Sequence, residues 1–196
     1  MELLPTAVLE ESVLASRLKA GSAALFPTDT LPALAASPDH AAQLWTIKRR
    51  SADKPLILMG ASPQELLEQI SPLAFEDAKL MAKRYWPGAL TLVVPFSGIV
   101  AQALNPGAFT LGIRVPDCVL TRSLLKQSGP LATTSANLSG DDPSFSAEDA
   151  AACFPGLPLL GPLPWPTPSG LASTVLTWQG VGRWHLLRRG SVVPEL

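Results

Sequence analysis

Short apolar runs recur along this chain, each stopped by proline, glycine or a cluster of hydroxyl side chains: residues 22–26, 55–59, 89–94, 109–115 and 130–135. Runs this short, rich in Val, Ile and Leu, read as buried strands rather than helices. Between them lie segments with helical apolar spacing: residues 8–20, ended by Gly21; residues 39–50, with Ala42, Leu44, Trp45 and Ile47 as the apolar face; residues 73–85, stopped by Trp86-Pro87-Gly88; residues 117–127; and residues 147–154. Ser62-Pro63-Gln64-Glu65 opens a further helix, with Ser62 as cap and Glu65 in the capping-box position. Strands interleaved with helices predict an α/β (α+β) fold, one twisted, open, mixed sheet with flanking helices. At 196 residues the chain suits one domain spanning 1–196.

Proline sets the texture near the C-terminal end. Six of the 20 prolines, with two glycines, fall between positions 155 and 168. Proline lacks a backbone donor, so no helix or central strand is expected there, only a long extended loop. Residues 173–178 and 183–189 then flank Gln179-Gly180-Val181-Gly182 as a closing hairpin.

Composition narrows function by exclusion. Residues are 47% hydrophobic, ample for a core, yet no apolar stretch approaches the roughly 20 residues of a membrane span. Residues 1–5 lack a basic region followed by an apolar one, so no secretory signal is read there. Cys118 and Cys153 sit far apart, and His40 and His185 are isolated, so a zinc site or a Ser-His-Asp triad has little to be built from. A reduced, cytoplasmic protein is expected. The formal net charge of −1 gives no sign of bulk nucleic-acid binding.

Against that near neutrality, Lys48-Arg49-Arg50-Ser51-Ala52-Asp53-Lys54 packs four cations into seven residues. Such a turn either holds an anion, phosphate first, or is a solvated helix end where cations favour the dipole. Two hydroxyl-rich segments follow apolar runs directly: Pro27-Thr28-Asp29-Thr30, expected at a sheet edge where open sheets take ligands, and Thr133-Thr134-Ser135-Ala136-Asn137. Arg114 lies within the apolar run Leu111-Gly112-Ile113-Arg114-Val115. A half-buried arginine is costly unless paired, so it either meets a carboxylate such as Asp117 or awaits a carboxylate ligand. These residues describe an anion site, a hydroxyl-rich pocket and a carboxylate clamp, with no Walker loop or GxGxxG fingerprint.

The ordered series Phe26-Pro27-Thr28-Asp29-Thr30, Lys48-x-Arg50 with Lys54-Pro55-Leu56, Trp86-Pro87-Gly88, Arg114-Val115-Pro116-Asp117, Thr134-Ser135-Ala136-Asn137-Leu138-Ser139-Gly140 and Ser173-Thr174-Val175 resembles the YrdC family from about residue 21 to about residue 190. The resemblance implies a twisted open sheet with a concave, positively lined cavity. It implies L-threonylcarbamoyl-AMP synthesis, a nucleotidyl transfer from L-threonine, bicarbonate and ATP that serves threonylcarbamoyladenosine formation in tRNA. Matched position by position, Lys48 and Arg50 would be catalytic and hold ATP phosphates, together with Lys54, Thr110, Ser135, Asn137, Ser144 and Arg188. Thr30, Met59, Arg114, Thr133 and Ser173 would meet threonine. Mg²⁺ would accompany ATP without a protein metal cluster. The resemblance also implies partner proteins of tRNA modification; the basic patch from Lys48 to Lys54 offers an RNA contact, and no membrane partner is expected. The chain looks like the short form of the family, without a further C-terminal domain.

The series is broken on the amino-acid side. Leu31-Pro32-Ala33-Leu34-Ala35 stands where the family has Val-Tyr-Gly-Leu-Gly, and Met59 stands where it has histidine. Glycines in such places permit positive φ or close backbone approach, so an altered pocket wall beside Thr30 is expected. The segment between Thr30 and Lys48 is about three residues shorter than in the family, and Asp141-Asp142 adds charge after Gly140. Two alternatives stand beside the synthase: a divergent paralogue acting on another amine or acid, and a non-catalytic module binding nucleotide or RNA. Residues 155–168 are either a lid or a spacer loop.

Overall fold

The computed structural model describes residues 6–96 and 98–195. Residues 1–5, on which the reading of no secretory signal rests, lie outside them. In chain order the elements are β1 (Val8–Leu9), α1 (Glu11–Lys19), β2 (Ala24–Phe26), β3 (Ala33–Ala36), α2 (Ala42–Lys48), β4 (Ile57–Met59), α3 (Pro63–Leu67), α4 (Pro72–Tyr85), β5 (Leu90–Pro95), α5 (Ile99–Leu104), β6 (Thr110–Arg114), α6 (Val119–Ser128), β7 (Leu131–Ser135), α7 (Ala147–Cys153), β8 (Leu159–Leu160), β9 (Thr174–Gly180) and β10 (Arg183–Arg188). A single 3-10 turn, Pro38–His40, precedes α2.

The strands form one mixed sheet in the order β1-β8-β2-β3-β7-β4-β6-β5-β9-β10, with β1 and β10 outermost. Helices cover its two faces unequally. On one face, α2, α3, α4, α5 and α7 bury the larger core around Leu34, Leu44, Leu58, Leu92 and Ile113. On the other, α1 and α6 pack with Ala24, Phe26, Ala33, Ala35, Met59 and Leu131 into a smaller core. Two helices are too few to cover that second face of a ten-stranded sheet, and its central part stays open as a concave floor. Register places Ala33, Ala35, Ser135, Thr133, Ile57, Met59, Gly112, Arg114, Thr91 and Val93 on this face.

Several elements differ from the sequence-based expectation, each for a tertiary reason. The helix expected over residues 8–20 begins at Glu11, because Val8 and Leu9 pair in parallel with Leu159 and Leu160. That pairing also places a strand inside the proline-rich segment, where only a loop was expected; β8 bonds to β1 on one side and to β2 on the other. Trp165 anchors the rest of the segment, its Nε1 donating to the Leu160 carbonyl at 2.7 Å. The four-residue β3, of Ala and Leu, had no strand signal of its own and is held between β2 and β7. Its alanines are extended and buried, and Arg49 is the one non-glycine residue at positive φ among the described residues, so alanine for glycine costs β3 no backbone strain. Ser62 caps α3 by accepting from Glu65 N, while the Glu65 carboxylate takes Ala61 N, one residue before the usual capping-box position.

Candidate functional site

A cavity of about 150 Å³ opens on the uncovered floor of the sheet. Its lining comes from separate segments: Thr28 to Ala33 without Asp29, then Arg50, Pro55, Ile57 and Met59, then Arg114, then Thr133, Thr134 and Ser135, and finally Ala172, Ser173 and Arg188. The cationic turn, the hydroxyl-rich segments and the lone strand arginine therefore meet in one place.

The turn after β2 does not stay at the sheet edge. Thr28 Oγ1 accepts from the backbone N–H of Thr30 and of Leu31 and donates to the Leu31 carbonyl at 2.7 Å, a hydroxyl-driven turn that folds the chain back over the floor. Thr30 and Asp29 thereby reach Arg114 on β6. Arg114 Nη2 donates to Asp29 Oδ1 at 2.6 Å, Nη1 to Thr30 Oγ1 at 2.8 Å, and Nε to the Gly88 carbonyl at 2.9 Å. Asp117 is not its partner: Asp117 pairs with Arg122 at 2.8 Å and offers only its backbone N–H to Asp29. Burial lowers the Arg114 pKa, and Asp29 opposes that fall. A guanidinium has five donors; three are engaged here, leaving two on a group that lines the cavity.

Ser173 and Arg188 form a second corner. Arg188 Nη2 donates to the Ser173 carbonyl at 2.8 Å and to its Oγ at 3.1 Å, while Ser173 Oγ also meets Thr91 Oγ1 at 2.9 Å. Gly190 makes this corner possible, since a Cβ there would lie 2.5 Å from Ser173 C and from Thr174 N. Arg50 closes the third side. Its Nη2 donates to the Pro55 carbonyl at 3.1 Å, and its buried Nε has no partner. Arg188 repels both Arg50 and Arg114, lowering their pKa values behind the larger effect of burial. Arg188 beside both, opposed by Asp53 at Arg50 and by the paired Asp29 at Arg114, leaves a wall on which guanidiniums outnumber carboxylates and which favours an anion.

The cationic turn is also a helix end. Arg49, at φ 53°, terminates α2, with Arg49 N donating to Thr46 O and Arg50 N to Trp45 O. Arg49 is exposed, Arg50 turns into the cavity, and Lys48 is 2% exposed. The Lys48 Nζ donates to Ser135 O at 2.7 Å, Ser135 Oγ at 3.3 Å, Asn137 Oδ1 at 3.0 Å and the Asn137 carbonyl. Burial, with Arg50 adding to it, lowers its pKa to about 8.

Of the residues singled out in the sequence, Thr30, Arg50, Met59, Arg114, Thr133, Ser135, Ser173 and Arg188 line the cavity. Lys48 and Asn137 stand behind Ser135. Ser144 is buried, its hydroxyl donating to the Ala136 carbonyl beneath the same turn. Lys54 is exposed, its carbonyl accepting from Trp45 Nε1 at 2.9 Å. Thr110 opens β6 at the end opposite Arg114 and does not line the cavity. No residue of 155–168 lines it; within that segment Leu159 and Leu160 form β8, between β1 and β2. Sequence reasoning did not assign roles to Asp29, Thr28, Thr91 and the Gly88 carbonyl. Asp29 had a signal, a carboxylate inside a motif already marked; Thr91 had none, since its role depends on β5 lying beside β9.

A family model, Sua5/YciO/YrdC, described as telomere recombination, matches residues 16–190. A threonylcarbamoyl-AMP synthase of Bacillus subtilis is 38% identical over 83% of this chain and 48% of its own length. One from Idiomarina loihiensis is 32% identical over 71% of this chain and 77% of its own. The chain spans about half the length of the Bacillus subtilis and Pyrococcus abyssi relatives it matches. Among solved structures, Pyrococcus abyssi Sua5 complexed with L-threonine superposes with a TM-score of 0.85 at 30% identity, over 95% of this chain and 58% of that one. Escherichia coli YciO, at 20% identity and a TM-score of 0.76, shares the fold. With the match covering nearly the whole described sheet and every segment that lines the cavity, the chain belongs to the Sua5/YciO/YrdC family.

Proposed function

We propose that this chain forms threonylcarbamoyl-AMP and pyrophosphate from L-threonine, bicarbonate and ATP. The observation that carries the reading is the convergence of a carboxylate clamp at Arg114 with two further guanidiniums, Arg50 and Arg188, across one small cavity. The names of the similar synthases, and the L-threonine complex of the Pyrococcus abyssi relative, support it.

In this reading the two unengaged donors of Arg114 take the threonine carboxylate, and Thr30 and Thr133 face the rest of the amino acid. The amine adds to the carbon of bicarbonate or its CO₂ form, giving a carbamate; from bicarbonate, water leaves. A carbamate oxygen then attacks the α-phosphorus, and the bond to pyrophosphate breaks. The first step is mainly a matter of placing two reactants together. The second develops negative charge on the α-phosphate and on pyrophosphate, and Arg50 and Arg188 lie ready to stabilise it. The cavity offers hydroxyls and guanidiniums rather than clustered carboxylates, a donor set that suits phosphate oxygens. Mg²⁺ would thus arrive on the triphosphate, held by phosphate and water, and supply further charge neutralisation there.

Lys54 and Thr110 are assigned to the nucleotide beyond the cavity, and the product goes to tRNA modification in the cytoplasm with partner proteins of that process. The test is pyrophosphate release from ATP, Mg²⁺ and bicarbonate, with and without L-threonine, alongside Arg50→Ala. Threonine-dependent release that Arg50→Ala abolishes is the expected result. Nucleotide binding without threonine-dependent release would overturn the threonine assignment and point to another amine. The wall of Pro32, Ala33, Ile57 and Met59 is where such a change would reside. RNA contact through the exposed Arg49 and Lys54 predicts affinity that falls steeply with salt.

A further inference from the structure

The resemblance that assigns Lys48 to ATP phosphates meets a geometric difficulty. The Lys48 ammonium has three N–H donors, and four protein oxygens already surround it: the carbonyls and side-chain oxygens of Ser135 and Asn137. Asn137 is equally engaged. Its Oδ1 accepts from Lys48 Nζ and from Ser135 Oγ at 2.7 Å, and its Nδ2 donates to the carbonyls of Leu138 at 3.0 Å and Asp141 at 2.8 Å. Neither residue lines the cavity, whereas Ser135 and Arg50 do. The Lys48 backbone adds a further tie, its carbonyl accepting from Ser139 N at 3.1 Å.

Resting on the function proposed above, we infer that Lys48 and Asn137 are positioning residues: a brace, buried at Lys48 and half-buried at Asn137, that fixes the turn at residues 135–139 and holds Ser135 in place in the cavity wall, without touching the nucleotide. The chemistry is local. Ala136 packs into the larger core with Leu138 against it, and one ammonium gathering four oxygens fixes the polar atoms of the turn on either side of Ala136. Ser135 Oγ, donating to Asn137 and accepting from Lys48, is thereby held in one orientation. Direct contact with phosphate is left to Arg50, whose guanidinium faces the cavity, and to Arg188.

The experiment uses the full chain without substrate first. Hydrogen exchange at the amides of Ala136, Asn137 and Ser139, all bonded in the free protein, is compared in wild type, Lys48→Met, Asn137→Ala and Arg50→Ala. The brace predicts exchange faster by roughly tenfold or more in the first two variants, from loss of a charged hydrogen-bond centre, and no change in the third. Affinity for Mg-ATP is then measured for Lys48→Met, Ser135→Ala and the double variant. If Lys48 acts through Ser135, the double variant binds about as weakly as the weaker single one. Unchanged exchange in Lys48→Met, or fold-losses that multiply in the double variant, overturns the brace. Should Lys48→Met not fold, Asn137→Ala combined with Ser135→Ala gives the same two readouts. Because neither measurement needs threonine or turnover, failure of the proposed synthase activity leaves this test intact.

Discussion

At Lys48 two effects of burial run in opposite directions with pH. The folded-state pKa of about 8 lies below the ordinary lysine value of 10.5, through burial first and the neighbouring Arg50 second, with Cys153 and Asp141 opposing. Between these values the unfolded chain binds more protons at Lys48 than the folded chain does, so this group's contribution makes global stability rise with pH there; as pH falls through 8 the cost of charging it buried is fully present. The brace behaves oppositely, since a neutral amine has lost a donor and its charge. Nucleotide affinity is therefore expected to fall above pH 8 while the denaturation midpoint does not, and Lys48→Arg is expected to move the alkaline loss of affinity upward. Parallel titrations of affinity and of urea midpoint check this. At Gly190 the constraint is steric rather than electrostatic. Alanine there meets the backbone of residues 172–174, so Gly190→Ala is expected to cost about 1–3 kcal/mol in denaturant unfolding and to weaken nucleotide binding through the Ser173–Arg188 corner. The sequence showed the charge of the cationic turn but not which of its members turns inward. A run of cations reads alike whether its members are solvated or buried, and only the oxygens of a turn nearly ninety residues away decide the matter for Lys48.

Among the elements, the β9–β10 hairpin shares the larger core with α4 through Leu176 and is tied to it by the carboxylate of Asp77. Asp77 accepts from Trp178 Nε1 at 2.7 Å and from Gly182 N at 2.8 Å. Removing it leaves an indole donor and a turn amide without their acceptor. Asp77→Ala should lower stability by roughly 2 kcal/mol and also raise the KM for ATP, because the hairpin carries Arg188. Steady-state kinetics with a folded-fraction control would check both. The elements legible in the sequence were those with a local signal: α4 with its apolar spacing and Trp86-Pro87-Gly88 stop, α3 with its Ser62 cap, β5 and β6 with their apolar runs, and the hairpin around its glycines. Those missed draw their existence from partners. β8 is two residues in a proline-rich segment and forms because β1 and β2 present free backbone on either side. β3 contains three alanines, poor strand formers, held by ladders to β2 and β7.

For the molecule as a whole, the site exists only when turns from residues 28 to 188 arrive on one face of the sheet. Motif order in the sequence revealed that they belong together, but not that the hydroxyl turn after β2 crosses the floor to β6. The sheet that gathers them has two outer strands of different character. β1 is two residues long, too short to template another strand, and β10 runs six residues with Arg183, His185 and Arg188 exposed along it. Unpaired backbone on a long edge invites a second molecule to continue the ladder, and charge or brevity blunts that tendency. Arg183 and His185 place polar side chains along that edge, while Arg188 folds its guanidinium onto Ser173. Arg183→Val with His185→Val, which leaves the cavity lining intact, is expected to shift the sedimentation profile toward larger species than the unsubstituted protein shows at the same concentration. A profile unchanged by the double substitution would mean that the hairpin's own twist is guard enough.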